Sequence, residues 1–97
     1  MDDYKLPMIS QEIYDEVERI VNRGKMCGSQ KEVQKYIDEL NWIRRDLPTR
    51  ASFKIVEICS CLKQYCNIRS NKYEAGMQLN NQLGGLCMMI EHKSVSD

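Results

Sequence analysis

Cysteine and histidine are the side chains best suited to metal or nucleophilic chemistry. The 97-residue chain holds five of the first, Cys27, Cys59, Cys61, Cys66 and Cys87, and one of the second, His92. Cys59-Ser60-Cys61 followed by Cys66 invites a metal reading. Zinc ligands, however, are usually spaced C-x₂₋₄-C on a loop, in two such pairs. On a helix, residues two apart point roughly 200° away from each other, so Cys59 and Cys61 cannot share a tetrahedral ion. Cys59 and Cys66 do share a face, but Ile55 and Leu62 share it too, which makes it core. A buried free cysteine behaves there as a small hydrophobe. Cys87 and His92 fall on different sides of one helix, so no cysteine–histidine nucleophile forms. His92 reads as a solvated residue near a helix C-terminus, favourable to the dipole when charged. No metal and no cofactor is expected.

The carboxylates Glu12, Asp15, Glu16 and Glu18 cluster in one segment. Paired-carboxylate catalysis needs a cleft, and a chain this short buries little more than about 60% of its surface. Dipole placement and a solvated face account for them. The sequence has no Gly-x-Ser-x-Gly, no Walker-type loop and no Gly-x-Gly-x-x-Gly, and Gly84-Gly85 alone is no phosphate loop. These features point away from an enzyme.

Two surfaces stand out instead. Between Arg44 and Lys72 seven cations face two carboxylates, although the whole chain is neutral, with 14 basic and 14 acidic residues. Arg44, Arg45, Arg50 and Lys54 bracket a turn, where their side chains can converge on a partner. Pro48 in that turn, with no glycine turn and no short helix pair, argues against a helix-turn-helix. Tyr36, Trp42, Phe53 and Tyr65 read as core or core-edge residues and not as a stacking platform. The second surface is Ala75–Ile90, sixteen residues without a charge. A solvent-facing helix normally carries Lys or Glu on its outer side. Beside a core stripe of Leu79, Leu83, Leu86 and Ile90 lies a second set, Met77, Gln78, Asn81, Gly84, Gly85 and Met88. Methionine suits adaptable contacts. Paired glycines cost roughly 1 kcal/mol each inside a helix, so they imply a kink or the close approach of another backbone. This segment is either a central, fully packed helix or an interface with a second copy or another protein.

The elements that position these surfaces are helical throughout, because the apolar residues recur at steps of three and four and never alternate over a strand length. Ser10 caps a first helix with the stripe Ile13, Val17, Ile20 and Val21, and Gly24 is its expected left-handed C′ residue. Ser29-Gln30-Lys31-Glu32 reads as a capping box for a second helix, which Pro48 forces to end near Asp46. A third helix starts between Thr49 and Ser52 and carries Ile55, Cys59, Leu62 and Cys66, flanked by Phe53, Val56, Ile58 and Tyr65. Asn67, Ser70 and Asn71 predict a turn, against the rival of one long helix from about Thr49 to Gln82. The last helix carries Tyr73, Met77, Leu79, Leu83, Leu86 and Ile90. Short loops make successive helices antiparallel neighbours. The expectation is a small all-α protein, an antiparallel three- or four-helix bundle of one domain over residues 1–97, with an arm at 1–9 and a frayed tail at 93–97.

The start, Met1-Asp2-Asp3, is acidic, and the longest apolar run is Leu86–Ile90, so neither a secretory signal nor a membrane span of about 20 residues is expected. An odd cysteine count fits a reducing compartment, hence a cytoplasm. The functional expectation is a non-enzymatic interaction protein that regulates, inhibits or adapts a larger protein partner, with homo-oligomers as a further use of the uncharged face. By analogy of class alone, such small helical proteins are frequent products of phages and accessory elements. The alternative is a nucleic-acid-associated regulator using Arg44, Arg45, Arg50 and Lys54.

Overall fold

Ser10 opens the helical part of the chain with extended backbone, and its hydroxyl accepts the Ile13 amide at 3.2 Å. The computed structural model describes residues 9–67 and 71–90. Four helices follow in order: α1 (Gln11–Lys25), α2 (Gln30–Arg44), α3 (Thr49–Tyr65) and α4 (Lys72–Cys87). No strand occurs among the described residues, and no helix is long and apolar enough to cross a membrane. His92, Arg69, Ser70 and the tail at 93–97 lie outside the described residues, as do residues 1–8 of the arm.

Local chemistry explains the boundaries. Ser29 Oγ accepts the Glu32 amide at 3.2 Å, and Glu32 Oε1 answers by accepting from Gly28 N at 2.9 Å. The capping box therefore closes one residue earlier than the usual reciprocal bond to the cap itself. α2 ends at Arg44, two residues before the expected Asp46. Three tighter bonds then carry the chain to Leu47: Arg45 N to Trp42 O, Asp46 N to Ile43 O and Leu47 N to Arg44 O. Pro48 caps α3 without a side-chain hydrogen bond. Asn71 Oδ1 accepts from Tyr73 N at 3.0 Å and Glu74 N at 3.2 Å, which begins α4 and excludes the single long helix.

The helices run antiparallel in sequence order. Gln30 donates to the Lys63 carbonyl at one end of the α2–α3 pair, Cys59 Sγ meets the Ile37 carbonyl midway, and Arg44 donates to Ser52 Oγ at the other end. Lys54 lies against Gly85 and Tyr65 against Gly76, which sets α4 antiparallel to α3. α3 is the central helix: α1 also touches all three others, but α3 makes the two most extensive interfaces, with α4 and with α2. It buries Ala51, Ile55, Ile58, Cys59, Cys61 and Leu62, so both Cys59 and Cys61 are covered although they point apart. The central position therefore belongs to α3 and not to the charge-free α4.

Four expectations are corrected. Gly24 is not a left-handed stop, since no described glycine has positive φ and α1 continues to Lys25. It is buried because a Cβ there would stand 2.8 Å from Leu62 Cδ2 and 3.2 Å from Val33 Cγ2. Gly84 and Gly85 do not end α4, and among the described residues no other backbone approaches them: Gly84 faces open space and Gly85 accommodates the Lys54 stem. α4 stops at Cys87, and Ile90 reaches the core from beyond the helix. There it forms an isolated parallel bridge with Ile9, whose amide donates to the Met89 carbonyl at 2.9 Å. Ile9, which the sequence assigns to the arm, is buried in the core beside it.

Candidate functional site

The thiols show no assembled chemistry. Cys59, Cys61 and Cys66 are buried, Cys27 is half-buried and Cys87 is exposed. Burial pushes the Cys59 thiol up to about 11, with Arg44 opposing and Asp38 adding to the shift. A thiol held that high is a poor nucleophile at neutral pH. Burial also raises Cys61 and Cys66, and Cys66 Sγ donates to the Gly24 carbonyl at 3.3 Å. Among the described residues no three His, Cys, Asp or Glu side chains are grouped to hold a metal ion. The α1 carboxylates make local contacts: Gln11 donates to Asp15 Oδ1, and Arg19 pairs with Glu16.

The basic corner is built where α2 turns into α3. The tight bonds after Arg44 fold Leu47 under the junction, and Pro48 redirects the chain into α3. Arg44 and Arg45 consequently end one helix, while Arg50 sits in the first turn of the next and Lys54 one turn further along. Arg44 is held by neutral partners only, its Nε donating to Asn41 Oδ1 at 2.8 Å and Nη1 to Ser52 Oγ at 3.2 Å. The Arg45 guanidinium lies 5.3 Å from the Trp42 ring centroid. Among the described residues the only ion pair is Arg19–Glu16, so no described carboxylate neutralises any of the four corner cations. The first turn of α3 carries no acidic residue either, which leaves the positive end of its dipole uncompensated.

The structure brings the four cations to one corner and divides them into two pairs. Arg44 and Arg45 line a groove of about 460 Å³ floored by Leu47 and Val56. Arg50 and Lys54 line a second, of about 350 Å³, with Met89. Thr49 and Phe53 line both, so Phe53 is the ridge between them. Phe53 is 64% exposed and Trp42 69%, with Val56 also exposed. This corrects the placement of Phe53, Val56 and Trp42 in the core or at its edge: α3 turns its Ile55–Ile58–Leu62 side inward and leaves Phe53 and Val56 outside. Tyr36 does pack at the core edge, whereas Tyr65 is half-buried between Lys25 at 5.6 Å and Lys72 at 5.0 Å from its ring centroid. The spacing does carry a signal for the exposed ridge: Phe53 is two residues from Ile55, about 200° round the helix from the Ile55–Cys59–Leu62 stripe, and none of Thr49, Arg50, Val56, Glu57 and Ser60, its neighbours at three, four and seven residues, is buried.

The uncharged face of α4 is open. Met77, Gln78, Asn81, Gly84 and Met88 are exposed, Met88 at 80%, and Gly85 is half-covered by Lys54. Tyr73, expected in the apolar stripe, is also exposed, and the buried stripe is Ala75, Leu79, Leu83 and Leu86. Lys54 supplies the cation that the last turn of α4 lacks. It is thereby occupied within the molecule, as Arg45 is by the Trp42 ring. The chain matches no family model, no curated protein and no solved structure.

Proposed function

We propose that this protein is a non-enzymatic interaction module that regulates, inhibits or adapts a protein partner, docked at the α2–α3 corner. The carrying observation is Phe53, a large exposed aromatic standing between two pairs of cations that no carboxylate among the described residues neutralises. An apolar residue of that size at the centre of a patch, ringed by arginine, has the composition of an interface hot spot. The buried thiols fit the reading, since burial raises Cys59, Cys61 and Cys66 away from the thiolate form that a nucleophile needs.

Co-purification tests the reading. Proteins retained by the wild type should be lost from an Arg44→Glu/Arg45→Glu/Arg50→Glu variant whose helical signal is intact. A Lys31→Glu/Lys35→Glu variant, altered on exposed positions of α2, should still retain them. Identical sets on all three would sink the proposal. A second reading, nucleic-acid contact, is favoured by Trp42 and Phe53 being exposed beside arginine, the composition of a base-stacking surface. A salt titration of single-stranded DNA and RNA binding separates the two, because phosphate contacts lose affinity steeply with salt.

A further inference from the structure

We infer that the corner takes an acidic segment of a protein, in which one or two aliphatic or aromatic side chains are flanked by Asp or Glu. The inference rests on the reading of this corner as a protein-docking surface and adds what the partner must carry. Charge complementarity sets the first requirement. Arg44, Arg45 and Arg50 have no carboxylate partner among the described residues, and the uncompensated N-terminus of α3 adds to the same field. The acidic residues Asp46 and Glu57 lie near them in sequence and leave a net positive corner.

The groove floor sets the second requirement. Leu47 and Val56 form an apolar base beside the Phe53 ring, and Thr49 and Ser52 are hydroxyl-bearing residues of the wall. A space of about 460 Å³ accommodates a side chain or two, and its wall is mixed, with Arg44, Arg45, Thr49 and Ser52 beside Leu47, Val56 and the Phe53 ring, so it suits a segment carrying both carboxylates and apolar side chains. A nucleic-acid strand would need cations along a track. Here they sit in two pairs on either side of an aromatic ridge, and a neutral chain exerts no long-range pull on a polyanion. Arg44 is already fixed by Asn41 and Ser52, and Arg45 by the Trp42 face. Less side-chain freedom is then lost when a carboxylate arrives.

The test uses the full chain labelled for amide NMR and four probes. The first is a synthetic amphipathic helix with Leu and Phe on one face and Glu on the other. The second replaces Glu by Lys, the third keeps Glu and replaces the apolar face by Ser, and the fourth is an oligothymidine. The acidic amphipathic peptide should give saturable shifts at Leu47, Ser52, Phe53, Val56 and the Trp42 indole. The Lys and Ser versions should bind at least about tenfold more weakly, as should the acidic peptide to Arg44→Glu/Arg45→Glu. Phe53→Ser alters an exposed residue and keeps the fold, so it carries the test if the arginine variant unfolds; it too should weaken binding about tenfold. No saturable shift at the corner overturns the inference, as does equal binding of the Ser version. If natural partners are still lost on charge reversal while no acidic peptide binds, the inference fails and the docking reading stands. If oligothymidine shifts the corner and the peptide does not, both fail.

Discussion

Gly24 and Gly84 show one residue type serving opposite ends. A methyl at Gly24 would press into Leu62 and Val33, both fully buried. Gly24→Ala gains about 1 kcal/mol of helix propensity but forces a packed core apart at about 1–3 kcal/mol, so it should lower stability. Gly84→Ala meets nothing within 4 Å and should raise stability by about 0.5–1 kcal/mol. Urea unfolding of the two variants checks the pair; equal signs would contradict the packing argument. A single sequence cannot separate these uses, since glycine is selected either for a left-handed φ or for its missing Cβ. Cys59 provides a second test. It titrates at 9.0 when ordinary and at about 11 in the fold. Between those values the folded chain keeps a proton that the unfolded chain releases, so stability falls as pH rises through that window. The limiting loss is about 2–3 kcal/mol. Cys59→Ala should flatten that part of the slope and cost about 1–2 kcal/mol at neutral pH as a partial cavity. An unchanged slope in the variant would mean that the thiol is not desolvated.

Helix starts were the most legible elements, because capping is local chemistry. Ser10, Ser29 and the Glu32 partner all act where their spacing places them. Asn71 does more than the turn expected of it, accepting two amides at the start of α4. Asn71→Ala should therefore cost about 1 kcal/mol, read by thermal unfolding, and lose helicity at α4 first. The order of the layers was not legible. Ile55, Cys59 and Leu62 form one stripe of α3, while Ile58 and Cys61 extend its buried arc, yet nothing in their spacing says which neighbours cover them. The charge-free run of α4 has the composition of a central helix, but Gln78, Asn80 and Asn81 face outward. Amides satisfy water as lysine or glutamate would, so absence of charge did not report burial. The corner was more legible: the cations were visible in sequence, and the Ile55–Cys59–Leu62 stripe, read as core, already turns Phe53 outward because it lies two residues from Ile55.

Across the whole molecule the two exposed surfaces make separable predictions. If the outer face of α4 pairs two copies, Met88→Lys should weaken self-association by more than about 2 kcal/mol while helicity is unchanged. Sedimentation of the wild type comes first; a monomer that also binds its partners normally as Met88→Lys excludes that use of the face. Corner variants such as Arg50→Glu should leave sedimentation unaltered, since the corner and the α4 face involve different residues. The uncharged α4 face predicts association at an ordinary docking rate, whereas association of an acidic partner with the positive corner should slow as salt is added. The bridge between Ile9 and Ile90 bears on assembly in time. Each helical hairpin can form from neighbouring sequence, but the Ile9 amide finds its Met89 acceptor only after α4 has seated on α3. Contacts between distant parts of a chain close late, because their loop entropy is met only when the intervening structure exists. In a pulse-labelling experiment the Ile9 amide should be among the last to gain protection, which makes it a clock for the completed fold.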